Sequence, residues 1–124
     1  MIVGFDYWQV ISHYPTYFRE LAMMHLENGD EVVVISAVGH RRVGTIATAL
    51  TVLGFPNSVR VHEVVFDSPA QSPELKLAKC KELGVQVFYD DRDDVCRLLN
   101  RNDILAMRVT RKDGSTYDLG AERG

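Results

Sequence analysis

The hydrophobic positions of this chain fall into short unbroken runs separated by longer amphipathic stretches. The run "MIVGF" comes first, and "EVVVIS", "VRVHEVVF", "VQVFY" and "ILAMRVT" follow it. Apolar runs of this length, rich in β-branched and aromatic residues, predict buried strands. Between them the apolar positions take helical spacing. Phe18, Leu21, Ala22 and Leu26 share one face of a helix that begins at Pro15 and stops at "ENGD", where Gly29 is the candidate cap. "VGTIATALTVLG" predicts a second helix, ended by Gly54 and Pro56. "SPELKLAKCKEL" predicts a third, with Ser72 as N-cap, Pro73 at the first helical position and Gly84 past the end. "RDDVCRLLN" is a short fourth helix. "KDGS" reads as a hairpin turn and "TYDL" as a weak edge strand before a polar tail.

Strands that alternate with helices predict an α/β fold: three layers, α/β/α and Rossmann-like, around a mainly parallel five-stranded sheet. The chain of 124 residues is long enough for one domain with its own core, here over 1–111, with a hairpin or tail over 112–124. Composition changes this picture little. With 46% hydrophobic and 25% charged residues the chain is ordinary for a globular protein, and a net charge of −3 gives no general pull toward nucleic acid or anionic membranes. No apolar run approaches the ~20 residues of a membrane span, and the N-terminus has no signal-peptide pattern, so a cytoplasmic protein is expected. Cys80 and Cys96 lie in apolar-patterned stretches and read as reduced core residues rather than a disulfide framework.

In parallel sheets ligands bind beyond the carboxyl ends of the strands, where strand order reverses. The residues ending the predicted strands therefore carry the chemistry: Asp6, Ser36, Asp67 and the pair Asp90–Asp91. Each has a bland alternative. Asp6 could cap a strand end, and Ser36 could be a common turn residue. Acids in the "DDRDD" run suit a helix N-terminus, which accounts well for Asp93 and Asp94. It accounts less well for Asp90 and Asp91, because adjacent acids at a buried strand end repel each other unless a cation sits there.

Taken in order, these motifs resemble the haloacid dehalogenase superfamily, from Asp6 through Asp94. The first motif is the aspartate of "VGFDYWQV", the second Ser36 in "VVVISAVG". The third is a lysine in "SPELKLAKCKELG", with Lys76 at the best offset and Lys79 and Lys81 as fallbacks. The fourth is the acidic pair of "VFYDDRDDV". The resemblance implies a Mg²⁺-dependent phosphohydrolase or phosphotransferase working through an aspartyl-phosphate on a phosphomonoester. Asp6 would be the nucleophile. Asp6, the Trp8 backbone carbonyl and Asp90 or Asp91 would be metal ligands. Ser36 would bind a phosphoryl oxygen, Lys76 would neutralise charge, and Asp94 would orient a metal-bound water. Lys76 could equally lie on a solvated helix face.

The sequence departs from that pattern two residues after Asp6. The family's phosphatases usually place a second aspartate there as general acid–base; here it is Trp8, whose indole N–H does not exchange protons near neutral pH. Val10 stands where a threonine is usual. A backbone metal contact survives this change, and the proton transfer does not. Trp8 could stack a base or plug the site, or equally be buried packing; His13 and His40 are the nearest other acid–base candidates, though each also fits an ordinary surface or loop histidine. Arg41 and Arg42, in "GHRRVG", fall near the expected phosphate pocket and could fork onto a second phosphate, or simply start a solvated helix. The intervals Asp6–Pro15 and Ser36–Lys76 are too short for a cap domain, so an open site is expected. A receiver-type signalling domain is excluded, since its acid pair and single aspartate would occupy the reverse strand ends.

Two functions follow. One is a capless Mg²⁺-dependent phosphohydrolase or phosphotransferase, with a phosphorylated small molecule, a nucleotide or a nucleic-acid end as candidate substrate. The other is a catalytically degenerate module that binds a phosphorylated ligand or a protein partner without turnover. Neither calls for a membrane, and the oligomeric state is open.

Overall fold

A computed structural model describes residues 1–115. The elements run β1 (Ile2–Phe5), α1 (Pro15–Glu27), β2 (Glu31–Gly39), α2 (Thr45–Val52), β3 (Arg60–Phe66), α3 (Ser72–Leu83), β4 (Val87–Asp90), α4 (Asp93–Asn100) and β5 (Leu105–Arg108). The five strands form one sheet in the order β3-β2-β1-β4-β5, and every pairing is parallel. The expected Rossmann-like three-layer α/β fold is thus the one observed. The anticipated edge strand at "TYDL" lies outside the described residues. The preceding turn is present, closed by the Gly114 N–H on the Arg111 carbonyl at 2.9 Å with Gly114 at φ +77°.

Period-two alternation divides the strands between two apolar layers. Val3, Phe5, Val32 and Val34 face α1 and α2, packing with Phe18, Ala22, Ile46 and Leu50. Val33, Ile35, Phe88 and Ala106 face α3 and α4, packing with Leu77, Cys80, Cys96 and Leu99. Both cysteines are free and buried. Because burial pushes each thiol up to about 12, both behave as small hydrophobes. No helix among the described residues is long and apolar enough to cross a membrane.

The second layer approaches the backbone of β1 closely at Gly4. A Cβ there would stand 2.5 Å from Cδ1 and 2.9 Å from Cε1 of Phe88, a ring that is itself fully buried. Gly4→Ala is therefore expected to destabilise the fold by about 1–3 kcal/mol through overpacking. Urea unfolding checks this: the midpoint should fall with an unchanged slope.

Two local expectations need correction. Ser72 is not the N-cap of α3. The chain enters that helix through a 3₁₀ turn, Pro69–Gln71, capped by Ser68 in a reciprocal capping box with Gln71. The "SPAQ" segment supplies this earlier start, and Ser72 becomes a buried helical residue. Nor does Ser36 end its strand. β2 runs on to Gly39 because β3 pairs with it from Val33 through Gly39.

Strand order reverses at β1. The chain passes from β1 to β2 on one side, and later from β3 across to β4 on the other. Such a reversal opens a crevice beyond the carboxyl ends of the adjacent strands. Register Phe5↔Tyr89 sets Asp6 level with Asp90, and the Asp6 N–H donates to the Tyr89 carbonyl at 2.9 Å.

Candidate active site

Five polar side chains converge at that crevice, and all are buried: Asp6, Ser36, Lys76, Asp90 and Asp91. The Ser36 hydroxyl donates to Asp6 Oδ1 at 3.0 Å, and the Tyr7 N–H donates to the same oxygen at 2.8 Å. Lys76, 2% exposed, reaches the cluster from α3. Its ammonium donates to Asp90 Oδ2 at 2.5 Å and lies 3.4 Å from Asp6 Oδ2. The Arg92 N–H donates to Asp90 Oδ1 at 3.0 Å, so both oxygens of Asp90 are held. Of the candidate lysines, Lys76 is the one at the site; Lys79 faces outward and pairs with Glu82.

The carboxylates of Asp6, Asp90 and Asp91 each offer a ligand oxygen within 4.8 Å of the others. Their mutual repulsion shows in the pKa directions. Burial pushes Asp6 up to about 8; Lys76 opposes the shift, while Asp90 and Asp91 add to it. Asp91 is likewise raised, by burial and then by Asp90, against the pull of Arg111. Burial alone would draw Lys76 down, but Asp6 and Asp90 hold its ammonium above the ordinary range. Three buried carboxylates this close together are a donor set suited to a hard divalent cation, which takes oxygen ligands. The residues present fit such an ion.

Arg111 is the site residue that the sequence did not reveal. Its Nε donates to Asp91 Oδ2 at 2.8 Å, and its side chain is mostly buried. It follows β5 and is brought back by the Val109 N–H on the Asp90 carbonyl at 2.8 Å. No local motif signals that contact. In the sequence Ser72 reads only as a helix cap. It lines the same crevice, and its buried Oγ has no hydrogen-bond partner.

The remaining candidates divide. Trp8 follows Asp6 in a turn, Tyr7–Ile11, closed by the Ser12 N–H on the Tyr7 carbonyl. Gln9 sits there at φ +66°, in the left-handed region, with its N–H on Ser12 Oγ at 3.0 Å. Trp8 is 36% exposed and lines the cavity of about 310 Å³ that also holds Asp6, Lys76 and Asp91. Arg42 lines that cavity, with its guanidinium carbon 5.3 Å from the indole centroid. Arg41 lines only the adjoining cavity, and both arginines sit in a 3₁₀ turn, His40–Arg42, rather than at a helix start. Asp67 follows β3 but stands exposed and apart from the acid cluster, bonded to His40 at 2.8 Å. Asp94 is taken up by Arg92, at 3.0 and 2.7 Å, while Arg92 also donates to the Pro69 carbonyl; its contacts suit an anchor for the β4–α4 turn better than orientation of a water. His13 buries an Nδ1 without a partner and lines neither cavity.

No known protein-family profile matches the chain. It is similar to class B acid phosphatases of Salmonella arizonae, Salmonella typhi and Salmonella typhimurium, each 22% identical over 110 residues. The match covers 89% of this chain and 46% of each relative, so the chain spans about half their length.

Proposed function

We propose that the chain is a haloacid-dehalogenase-like phosphohydrolase or phosphotransferase that acts on a phosphomonoester through Asp6. The observation that carries this reading is the convergence of Asp6, Ser36, Lys76, Asp90 and Asp91 in one buried cluster at the sheet's reversal point. The likeness to class B acid phosphatases supports the same chemistry. Asp6, Asp90, Asp91 and the Trp8 carbonyl would hold Mg²⁺. When bound, that ion supplies positive charge that offsets the repulsion between an anionic nucleophile and a phosphate.

The chain's own residues then have distinct tasks. The Asp6 carboxylate attacks phosphorus, the bond to the leaving oxygen breaks, and an aspartyl-phosphate forms; water releases phosphate and restores Asp6. Ser36 and the Tyr7 N–H hold Asp6 Oδ1, which leaves Oδ2 as the attacking atom. Lys76 sits against Oδ2 and balances the charge that gathers on nucleophile and phosphate. Trp8 cannot protonate the leaving oxygen, so alkoxides such as a sugar oxygen leave slowly, and esters whose alcohol departs as a stable anion turn over faster. The segment between Asp6 and Pro15 is a tight turn with no room for a cap, which supports an open site and a large substrate.

A second reading rests on Trp8 alone: a module that retains the metal and phosphate sites and binds a phosphorylated ligand without turnover. A generic phosphomonoesterase assay in Mg²⁺ separates the two. Saturable, Mg²⁺-dependent turnover supports the enzyme, and saturable binding with no turnover supports the module.

Cation binding has its own signature. Below about pH 8 Asp6 carries a proton in the cation-free chain, which a metal must displace. Affinity for Mg²⁺ is expected to rise with pH, by up to about tenfold per unit, and to level off above about 8. Calorimetric titration in buffers of different ionisation enthalpy measures both the affinity and the proton released. A flat affinity with no proton release would remove Asp6 from the ligand set.

A further inference from the structure

The crevice at Asp6 does not end at Trp8. A second cavity, of about 540 Å³, adjoins it, and Trp8, Ala37, Arg42 and Phe66 line both. A volume of several hundred Å³ is typical of small-molecule sites. The lining of the second cavity differs in kind from the acid cluster. Two aromatic rings, Trp8 and Phe66, line it with Arg41 and Arg42, and so does the exposed His40–Asp67 pair. The one acid here is already engaged by His40, so the open charge is that of two exposed guanidinium groups.

We propose that this second cavity is a leaving-group subsite for a nucleotide: the base stacks on Trp8, and Arg41 and Arg42 take a phosphate other than the one at Asp6. The inference rests on Asp6 as the point of phosphoryl attack. Trp8 is the hinge of the arrangement, since the same indole borders the acid cluster and the aromatic cavity. Its partners define what reaches it. Tyr7 meets the indole edge-on, with centroids 4.8 Å apart and planes at 86°. Arg42 lies over the ring itself. An exposed cation over an indole is a weak contact, and stacking of a base on an aromatic ring is generally stronger. A base entering the cavity therefore takes the place of the guanidinium over Trp8. Arg42, on an exposed turn, is released toward a phosphate, where a forked, charge-assisted pair replaces the contact it gave up. The bound ligand is thus a phosphomonoester of a nucleoside that carries a second phosphate, as a nucleoside bisphosphate or a phosphorylated nucleic-acid end does. The position that removes the usual acid–base group instead supplies a platform for the leaving group.

Trp8 is the single tryptophan of the sequence and borders both cavities, so its fluorescence reports on either, and ribose 5-phosphate is the control for a phosphate bound at Asp6 without a base. The test titrates the native chain in Mg²⁺ with adenosine 3′,5′-bisphosphate, adenosine 5′-monophosphate and ribose 5-phosphate, followed by Trp8 emission and by calorimetry. Both nucleotides are expected to quench Trp8, and ribose 5-phosphate to bind at least about fivefold more weakly without quenching. Arg42→Ala should abolish the preference for bisphosphate over monophosphate. Trp8→Ala should lower nucleotide affinity to that of ribose 5-phosphate, while Trp8→Phe, which keeps a ring, retains most of it by calorimetry. Equal affinity for nucleotide and sugar phosphate, or nucleotide binding that leaves Trp8 emission unchanged, overturns the subsite. The outcome is separable from the catalytic reading. Base-dependent binding without Asp6-dependent turnover sinks the catalysis and leaves the subsite; Asp6-dependent turnover indifferent to the base does the reverse.

Discussion

Trp8→Asp is expected to raise phosphomonoester hydrolysis by a factor on the order of 10²–10⁴, the usual worth of a positioned general acid–base. On the proposed reading the native chain has Asp6 as nucleophile, the Ser36 hydroxyl to steady it, Lys76 to balance charge and a carboxylate set for a cation. What it lacks near Asp6 is a group that gives and takes a proton. Trp8 already lines the cavity that holds Asp6 and Lys76, so a carboxyl introduced there starts in the right space. The shorter side chain also frees Arg42 from the indole and opens the passage between the two cavities. A fourth acid near Asp6, Asp90 and Asp91 raises the pKa of the group it adds, which suits a residue that must act first as an acid. Initial rates with a poor leaving group show the gain most clearly. A leaving group that departs without a proton should show little.

Asp6→Asn is the larger effect, and opposite in sign. Loss of a covalent nucleophile typically costs on the order of 10⁴-fold or more, enough to bring a slow enzyme to the uncatalysed background. The amide keeps the size and shape of the side chain, so Ser36 can still donate to its oxygen and the packing of β1 is unaltered. What disappears is the oxygen proposed to attack and one of the three carboxylates around Lys76. The loss also relieves repulsion among buried acids, so the variant should unfold no more easily than the native chain. Reduced turnover accompanied by reduced stability would point to a structural role for Asp6 instead. Rates measured beside a urea unfolding curve separate the two.

Much of the site could be seen in the order of residues, because parallel strands place their carboxyl ends together. Asp6 and Asp90 fall level in the sheet for that reason, and the apolar runs before them are unambiguous. Lys76 was harder to choose, since three lysines share one helix. It is the one on the buried face with Leu77 and Cys80, and period alone does not separate it from Lys79. Ser36 stands in the cluster although it does not end its strand, because β2 continues beyond it in pairing with β3. Asp67 shows the reverse failure: a strand-end acid by position, it stands outside the cluster because β3 is an edge strand away from the reversal point. Arg111 has no signal in the sequence because its contact with Asp91 depends on where the chain goes after β5. The hydrophobic pattern carries no information about that path. Asp94 is held by Arg92, which the carbonyl of Pro69, distant in sequence, fixes, and the sequence pattern does not show that pairing either.

The central claim, that Asp6 attacks phosphorus, is tested most directly by comparing Trp8→Asp with the double substitution Trp8→Asp, Asp6→Asn in Mg²⁺ on one phosphomonoester. The comparison amplifies the reaction before asking which residue it needs. The account predicts that the gain from Trp8→Asp vanishes entirely in the double variant. A double variant that keeps the rate of Trp8→Asp would contradict it.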